Sequence, residues 1–210
     1  MEDLLDRTFI KARLLVLPRW KSIAFSLGTC ERMLPWFRAF ADPIGYKGDD
    51  VLRDAVNVVW NMLASRKDRL NLKSYAKSCD SVAPHMDDYG DMKYGLGAMN
   101  AACAIALLME SISGNMDECG SIIASQAIDV VYDLAEDEMN VIGSALSTND
   151  LKMRTIHHPL MQAELQRERD DLEFVESLDD DSALSLSTMI ERWKPEGRHL
   201  NNSLDLSREL

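Results

Sequence analysis

The sequence predicts an all-α protein, a single-domain bundle of about 8 helices around a central helix of small residues at about 94–113. Apolar residues recur at spacings of three and four along most of the chain, which is the period of one helical face. No Asn-Gly or Asp-Gly turn, the usual link between hairpin strands, interrupts this pattern. With 210 residues, 46% of them hydrophobic, the chain can bury one core. We therefore expect one domain over 1–194 and a polar tail over 195–210.

Prolines and glycines divide the first half of the chain. Pro18 ends the first amphipathic segment, and Pro35 is expected to kink or restart the second. The segment 42–48 reads as a loop, after which Asp49 or Asp50 can cap the next helix. The helices predicted from these breaks cover about 3–17, 19–34 with a continuation after Pro35 to Phe40, 51–63 and 71–82.

The second half contains the most apolar predicted helix. Its longest uncharged run, Tyr94 to Met109, has sixteen residues, fewer than the roughly 20 that span a bilayer. Its Gly and Ala residues allow neighbouring helices to approach closely, so we expect a buried central helix. Residues 83–92 read as an acidic loop, and 139–156 show no clear pattern. Further helices are expected over about 116–138, 159–177 and 183–193.

The net charge of −12 is concentrated in the middle of the chain. Residues 1–75 carry 13 basic and 9 acidic side chains, whereas residues 76–151 carry 2 basic and 13 acidic ones. Binding to phosphates requires clustered Lys and Arg, so this balance argues against nucleic acid and against an anionic membrane as partners. It favours a basic protein partner or simple solubility.

The cysteines and the N-terminus predict a cytoplasmic protein. The four cysteines form no C-x-x-C pair and show no regular spacing, as expected for unpaired thiols in a reducing compartment. The chain starts with an acidic amphipathic segment, 1–6, without the basic and apolar regions of a signal peptide.

Several segments resemble the bacterial YjaG family. Trp20 followed by Cys30-Glu31-Arg32-Met33 and Pro35 looks like the W…CERM.P opening of that family. Supporting matches are Val59-Trp60, Asp87-Asp88, Ser113-Gly114-Asn115 and His158-Pro159-Leu160. The resemblance covers roughly 10–180 and implies a compact all-helical domain of unknown function. The chain departs from the family at 161–164, where an aromatic residue is expected, which suggests that the C-terminal third has diverged toward its own partner.

Two groups of charged residues are candidate sites on α-helices. Glu31 and Arg32 are predicted to form an internal ion pair that fixes helix packing, with a binding surface or catalysis as alternatives. Spacings of four and three place Asp129, Asp133 and Glu136 on one helical face, with Asp137 beside them. This acidic face is a solvated surface, a site for a basic partner or, least favoured, a metal site.

The acidic loop is the third candidate. Asp87, Asp88, Tyr89 and Asp91 could face a partner, cap a helix or simply be solvated. The loop lacks the twelve-residue ligand spacing of an EF-hand, so no metal is predicted there.

No known catalytic motif occurs in the chain, so no catalytic residue, cofactor or metal is predicted. The sequence favours a non-enzymatic domain that binds another protein, most concretely an immunity protein that neutralises a basic, nuclease-type bacterial toxin through its acidic surface. The alternatives are a signalling or regulatory adaptor for a bacterial sensor protein and a metal-dependent hydrolase with an unrecognised carboxylate site. A homo-oligomer is compatible with each of these.

Overall fold

Ten helices and no strand occur in the part of the chain that the computed structural model describes, residues 7–67, 70–90, 92–114, 118–142, 147–179 and 183–193. The predicted all-α fold is confirmed. The helices are α1 (Arg7–Leu15), α2 (Arg19–Ile44), α3 (Asp49–Ala64), α4 (Lys73–Ser81), α5 (Met86–Tyr89), α6 (Gly95–Ser113), α7 (Cys119–Ile142), α8 (Thr148–Ile156), α9 (Pro159–Ser177) and α10 (Ala183–Trp193). Two of them exceed the predicted number: α5 is a single turn in the acidic loop, and α8 lies in the segment without clear periodicity. The predicted tail 195–210 is outside the described residues.

The helix α6 is the centre of the bundle, as its small residues predict. It packs against α2, α3, α4, α5 and α7. Ala98, Ala101, Ala102 and Ala104 are fully buried, so neighbouring backbones approach closely on several sides. Among the described helices it alone has the length and apolar composition of a membrane span, but 72% of its most apolar window is buried inside the protein, consistent with a soluble protein.

The helix α2 is longer than the sequence predicts. It runs for 26 residues and does not restart at Pro35, and it ends at Ile44 rather than before the expected loop at 42. Proline removes one backbone hydrogen bond, but Trp36, Phe37 and Phe40 directly after it are buried in the core and hold this half of the helix in place. The helix ends where Gly45 adopts the left-handed conformation, with φ 65°.

The position of α2 determines which helices its adjacent charged residues, Glu31 and Arg32, can reach. It packs against α6 and α7 in the core, against α3, and against α9 and α10. Successive residues on a helix point about 100° apart. Adjacent side chains on α2 can therefore contact different helices.

Candidate protein-binding surface

The four acidic residues predicted on one helix lie along α7. Asp129, Asp133 and Asp137 are exposed, and Glu136 is half-buried. Although the side chain of Asp133 is exposed, neighbouring protein atoms remove part of the water around its carboxyl group and raise its pKa, and the nearby carboxylates of Asp137 and Glu136 raise it further. A cation placed beside Asp133 would offset both effects.

The acidic loop carries α5 next to the end of α2. Asp87 and Asp88 are exposed on α5. Tyr89 is half-buried, and its ring lies edge-on to Phe40 and Tyr46 at centroid distances of 5.3 and 5.5 Å. These aromatic contacts give Tyr89 a packing role that the sequence prediction did not assign to it.

One cleft, which we call the acidic cleft, joins the loop to α7. It has a volume of about 300 Å³. One wall is formed by residues of 90–97, including Lys93, and the other carries Asp133 and Asp137. Asp91, predicted as part of this surface, lies outside the described residues. The structure thus places two of the four acidic residues predicted on α7 in a concave surface beside the end of the acidic loop, while Asp87 and Asp88 are not among the described residues that line it.

The backbone of the cleft wall is unusual at Tyr94. This residue has a φ of 68°, in the left-handed region that few residues other than glycine adopt. The ammonium group of Lys93 lies 5.1 Å from the centre of the Tyr94 ring, a cation–π contact. Lys93, the one basic residue among the described residues that line the cleft, therefore lies against an aromatic ring of the same wall.

Glu31 is buried between α2 and α3, with an exposed fraction of 4%. One guanidinium nitrogen of Arg53 donates to both of its carboxylate oxygens, at 2.9 and 2.8 Å. The indole N–H of Trp60 donates to one of these oxygens at 2.7 Å. Glu31 therefore ties α2 to α3.

Arg32 points to the other side of α2 and binds three carboxylates of α9. They are Glu164, at 3.3 Å, and Glu168 and Asp171, all almost fully buried. The expectation that Glu31 and Arg32 pair with each other is wrong, because adjacent helical residues point apart. Each instead joins a separate ion pair with another helix.

Two further resemblance motifs also have structural roles. His158 precedes α9, where its Nδ1 accepts a hydrogen bond from the Leu160 N–H at 3.3 Å and Pro159 occupies the first helical position. The His158 Nε2 lies 3.3 Å from a carboxylate oxygen of Glu138 on α7. The Val59-Trp60 motif supplies the donor to Glu31.

The charged residues of α9 are the main ones that sequence reasoning did not single out. Glu164, Glu168 and Asp171 are spaced by four and three, which places them on one face of a helix. That spacing is visible in the sequence, but it reads as a solvated face unless a buried cation on another helix is known. Arg53 gave no sequence signal at all.

The thiols and potential metal ligands show no reactive arrangement in the described residues. None of the four cysteines forms a disulfide. Burial raises the pKa values of Cys30 and Cys103, and that of Cys79 to about 12, which favours the thiol over the nucleophilic thiolate. Among the described side chains, no group of three or more His, Cys, Asp or Glu residues is placed to hold a metal ion.

These features define an all-helical domain with two buried ion-pair clusters and an acidic cleft. The model of the family described as protein of unknown function (DUF416) matches residues 9–197, and the chain belongs to this family.

Similar proteins share the family and the fold. The chain is 27% identical over 144 residues to the uncharacterized protein YjaG of Escherichia coli K12, covering 68% of this chain and 71% of that protein. It is 25% identical over 107 residues to an uncharacterized protein of Haemophilus influenzae, covering 50% and 54% of the two chains. The crystal structure of a DUF416 family protein from Shewanella baltica OS155 superposes with a TM-score of 0.72 at 21% identity, covering 86% of this chain and 91% of that one. This last likeness concerns the fold alone.

Proposed function

We propose that this chain is a non-enzymatic, cytoplasmic protein-binding domain that receives a basic side chain of another protein in the acidic cleft. The observation that carries the proposal is the pairing of Asp133 and Asp137 on one wall of the cleft. Ionised, these carboxylates repel each other, which contributes to the raised pKa of Asp133. A Lys or Arg side chain of a partner would remove that repulsion and gain two opposite charges.

The size and lining of the cleft favour a side chain over a cofactor. A volume of about 300 Å³ is at the lower limit of small-molecule pockets, which hold about 300–1,000 Å³. Asp129 on α7 and Asp87 and Asp88 on α5 are also exposed, so the cleft is part of a protein with further negative charge on its surface. Such a surface accelerates the approach of a basic partner through long-range attraction.

The most concrete partner is a basic, nuclease-type toxin, which would make this chain an immunity protein. A nuclease binds phosphates through clustered Lys and Arg, and an acidic surface can occupy such a cluster. An adaptor that binds a sensor protein would use the same surface. The two versions differ in the partner rather than in the site.

The cleft can be tested with the double variant Asp133→Lys/Asp137→Lys. We expect it to bind a poly-arginine peptide, used as a general basic probe, about a hundredfold more weakly or worse, since close interfacial charge pairs contribute about 1.5 kcal/mol or more each. Affinity of the unmodified protein should fall steeply with salt. The measurement is titration calorimetry at two salt concentrations.

The matched control is Asp54→Lys/Asp80→Lys, which makes the same charge change at exposed positions of α3 and α4. It should retain most of the affinity. Equal losses in both double variants would assign binding to net charge rather than to the cleft, and salt-independent binding would exclude the electrostatic mechanism. Rescue of growth by co-expression with the toxin separates an immunity protein from a sensor adaptor.

A further inference from the structure

The cluster around Arg32 contains more buried carboxylates than its central cation can fully neutralise. The side chains of Glu164, Glu168 and Asp171 have exposed fractions of 2%, 0% and 3%, and that of Arg32 has 11%. All three carboxylates bind the one guanidinium group. An ionised carboxylate in such surroundings is strongly destabilised unless it is fully paired.

Two of the three carboxylates have a second cation. Arg167 binds Glu164 at 2.6 Å. Arg192 of α10 binds Asp171 at 2.7 Å, and the indole N–H of Trp193 donates to the same oxygen at 3.0 Å. Both outer arginines are partly exposed, so they link the buried cluster to solvent.

Glu168 is the least compensated member of the cluster. One of its oxygens accepts a hydrogen bond from Arg32. The other oxygen is buried without a hydrogen-bond partner among the described atoms, as is the Nε of Arg32. A neutral carboxyl group is cheaper to bury than a carboxylate, and therefore this position favours the protonated form.

We propose that the cluster acts as a proton-dependent latch: the native protein keeps Glu168 protonated, and loss of this proton weakens the packing of α9 and α10 on α2. The charged groups that act on Glu168 support this assignment. Burial raises the pKa of Glu168 to about 8, Arg32 opposes the increase, and Glu164 and Asp171 add to it. Arg167, on the same helix, favours the charged form.

Charged residues of α7, α8 and α10 also lie near α9, but at different positions along it. α7 brings Glu138 to His158 at the start of α9. On α8, Asp150, Lys152 and Arg154 are exposed. From α10, Arg192 reaches the cluster through Asp171.

The latch connects to α10 through Asp171, which lies three residues after Glu168 on the same helical face. Ionisation of Glu168 adds a negative charge that competes with Asp171 for Arg32. Asp171 is also the acceptor for two polar groups that anchor α10, the Arg192 guanidinium and the Trp193 indole N–H. Loss of the proton is therefore expected to loosen α10 first.

The sign of the pH effect follows from proton linkage. Between 4.5, the ordinary pKa of a glutamate side chain, and the native value of about 8, the folded chain binds a proton at Glu168 that the unfolded chain releases. The stability contribution is therefore complete below pH 4.5 and is lost as the pH rises through about 8. One linked proton changes the folding equilibrium constant by up to roughly tenfold per pH unit.

The test compares Glu168→Gln, a neutral isostere, with the unmodified protein in urea unfolding between about pH 5 and pH 9. We expect the ratio of folding equilibrium constants, variant over unmodified protein, to increase with pH by up to roughly tenfold per unit. Amide exchange in α10 should accelerate between about pH 6 and pH 9 beyond the intrinsic rate in the unmodified protein only. The control is Glu176→Gln, which makes the same change on α9 at a half-buried residue paired with Arg13.

A ratio that is independent of pH, or an equal slope in the Glu176→Gln control, would overturn the proposal. If Glu168→Gln does not fold, a measurement on the unmodified protein still tests the proposal. Its infrared spectrum should contain the C=O stretch of a buried protonated carboxyl group at about pH 6 that is lost by about pH 9.5. Absence of that band at the lower pH would equally contradict the latch.

Discussion

Replacement of Arg32 with Met is expected to lower the free energy of unfolding by about 3–5 kcal/mol, the usual cost of removing one partner of a buried ion pair. The reason is that Glu164, Glu168 and Asp171 would lose the cation they share. A small domain has only about 5–15 kcal/mol of stability in total. The variant should therefore be partly unfolded or aggregation-prone at growth temperature, and urea unfolding at neutral pH measures the loss.

The matched control for this variant is Arg38→Met on the same helix. Arg38 binds Asp49 at 2.8 Å, but the two side chains are 42% and 36% exposed. Such surface pairs contribute about 1 kcal/mol or less. Similar losses of unfolding free energy in Arg32→Met and Arg38→Met would show that the buried cluster contributes no more to stability than a surface ion pair.

Replacement of Trp193 with Ala is the second large expected effect, about 3–5 kcal/mol, because it removes a buried indole. Trp193 packs edge-on against Phe174 at 5.2 Å and is 7% exposed. It lies in a slot on α2 that exists because residue 28 is glycine. A Cβ atom at Gly28 would lie 2.5 Å from the Trp193 ring.

A double-mutant cycle separates the slot from ordinary loss of packing. Gly28→Ala alone should destabilise the protein by about 1–3 kcal/mol because the methyl group collides with the indole. In the Trp193→Ala background the same change should become neutral or stabilise by up to about 1 kcal/mol, since Ala is the better helix former. Unfolding of all four proteins gives the coupling energy. Additive effects would mean that Gly28 and Trp193 do not depend on each other.

The sequence predicts the helices well because helical periodicity is a local property. The central position of α6 followed from its Gly and Ala residues alone. The segment 42–44, predicted as part of a loop, is instead the end of α2. This difference has the opposite origin, because the continuation of α2 past Pro35 depends on how Trp36 and Phe37 pack against residues far away in the chain. Local rules cannot include that contribution.

The candidate site was predictable only in part. The acidic residues of α5 and α7 could be found from charge and spacing, whereas the acidic cleft itself depends on how the 90–97 segment packs on α7. For Glu31 and Arg32 the prediction of internal ion pairing chose the right residues and the wrong partners. Partners such as Arg53 and Glu168 are 22 and 136 positions away, a distance at which spacing rules carry no information.

Gly28, Glu31 and Arg32, which form the slot and the two ion pairs, lie within five consecutive positions of α2. Each serves a different neighbour: Gly28 receives α10, Glu31 holds α3 and Arg32 holds α9. Insertion or deletion of a single residue within this segment would rotate one contact relative to the others by about 100°, so that no register could satisfy all three. We therefore expect single substitutions in this segment to be tolerated better than any change in its length.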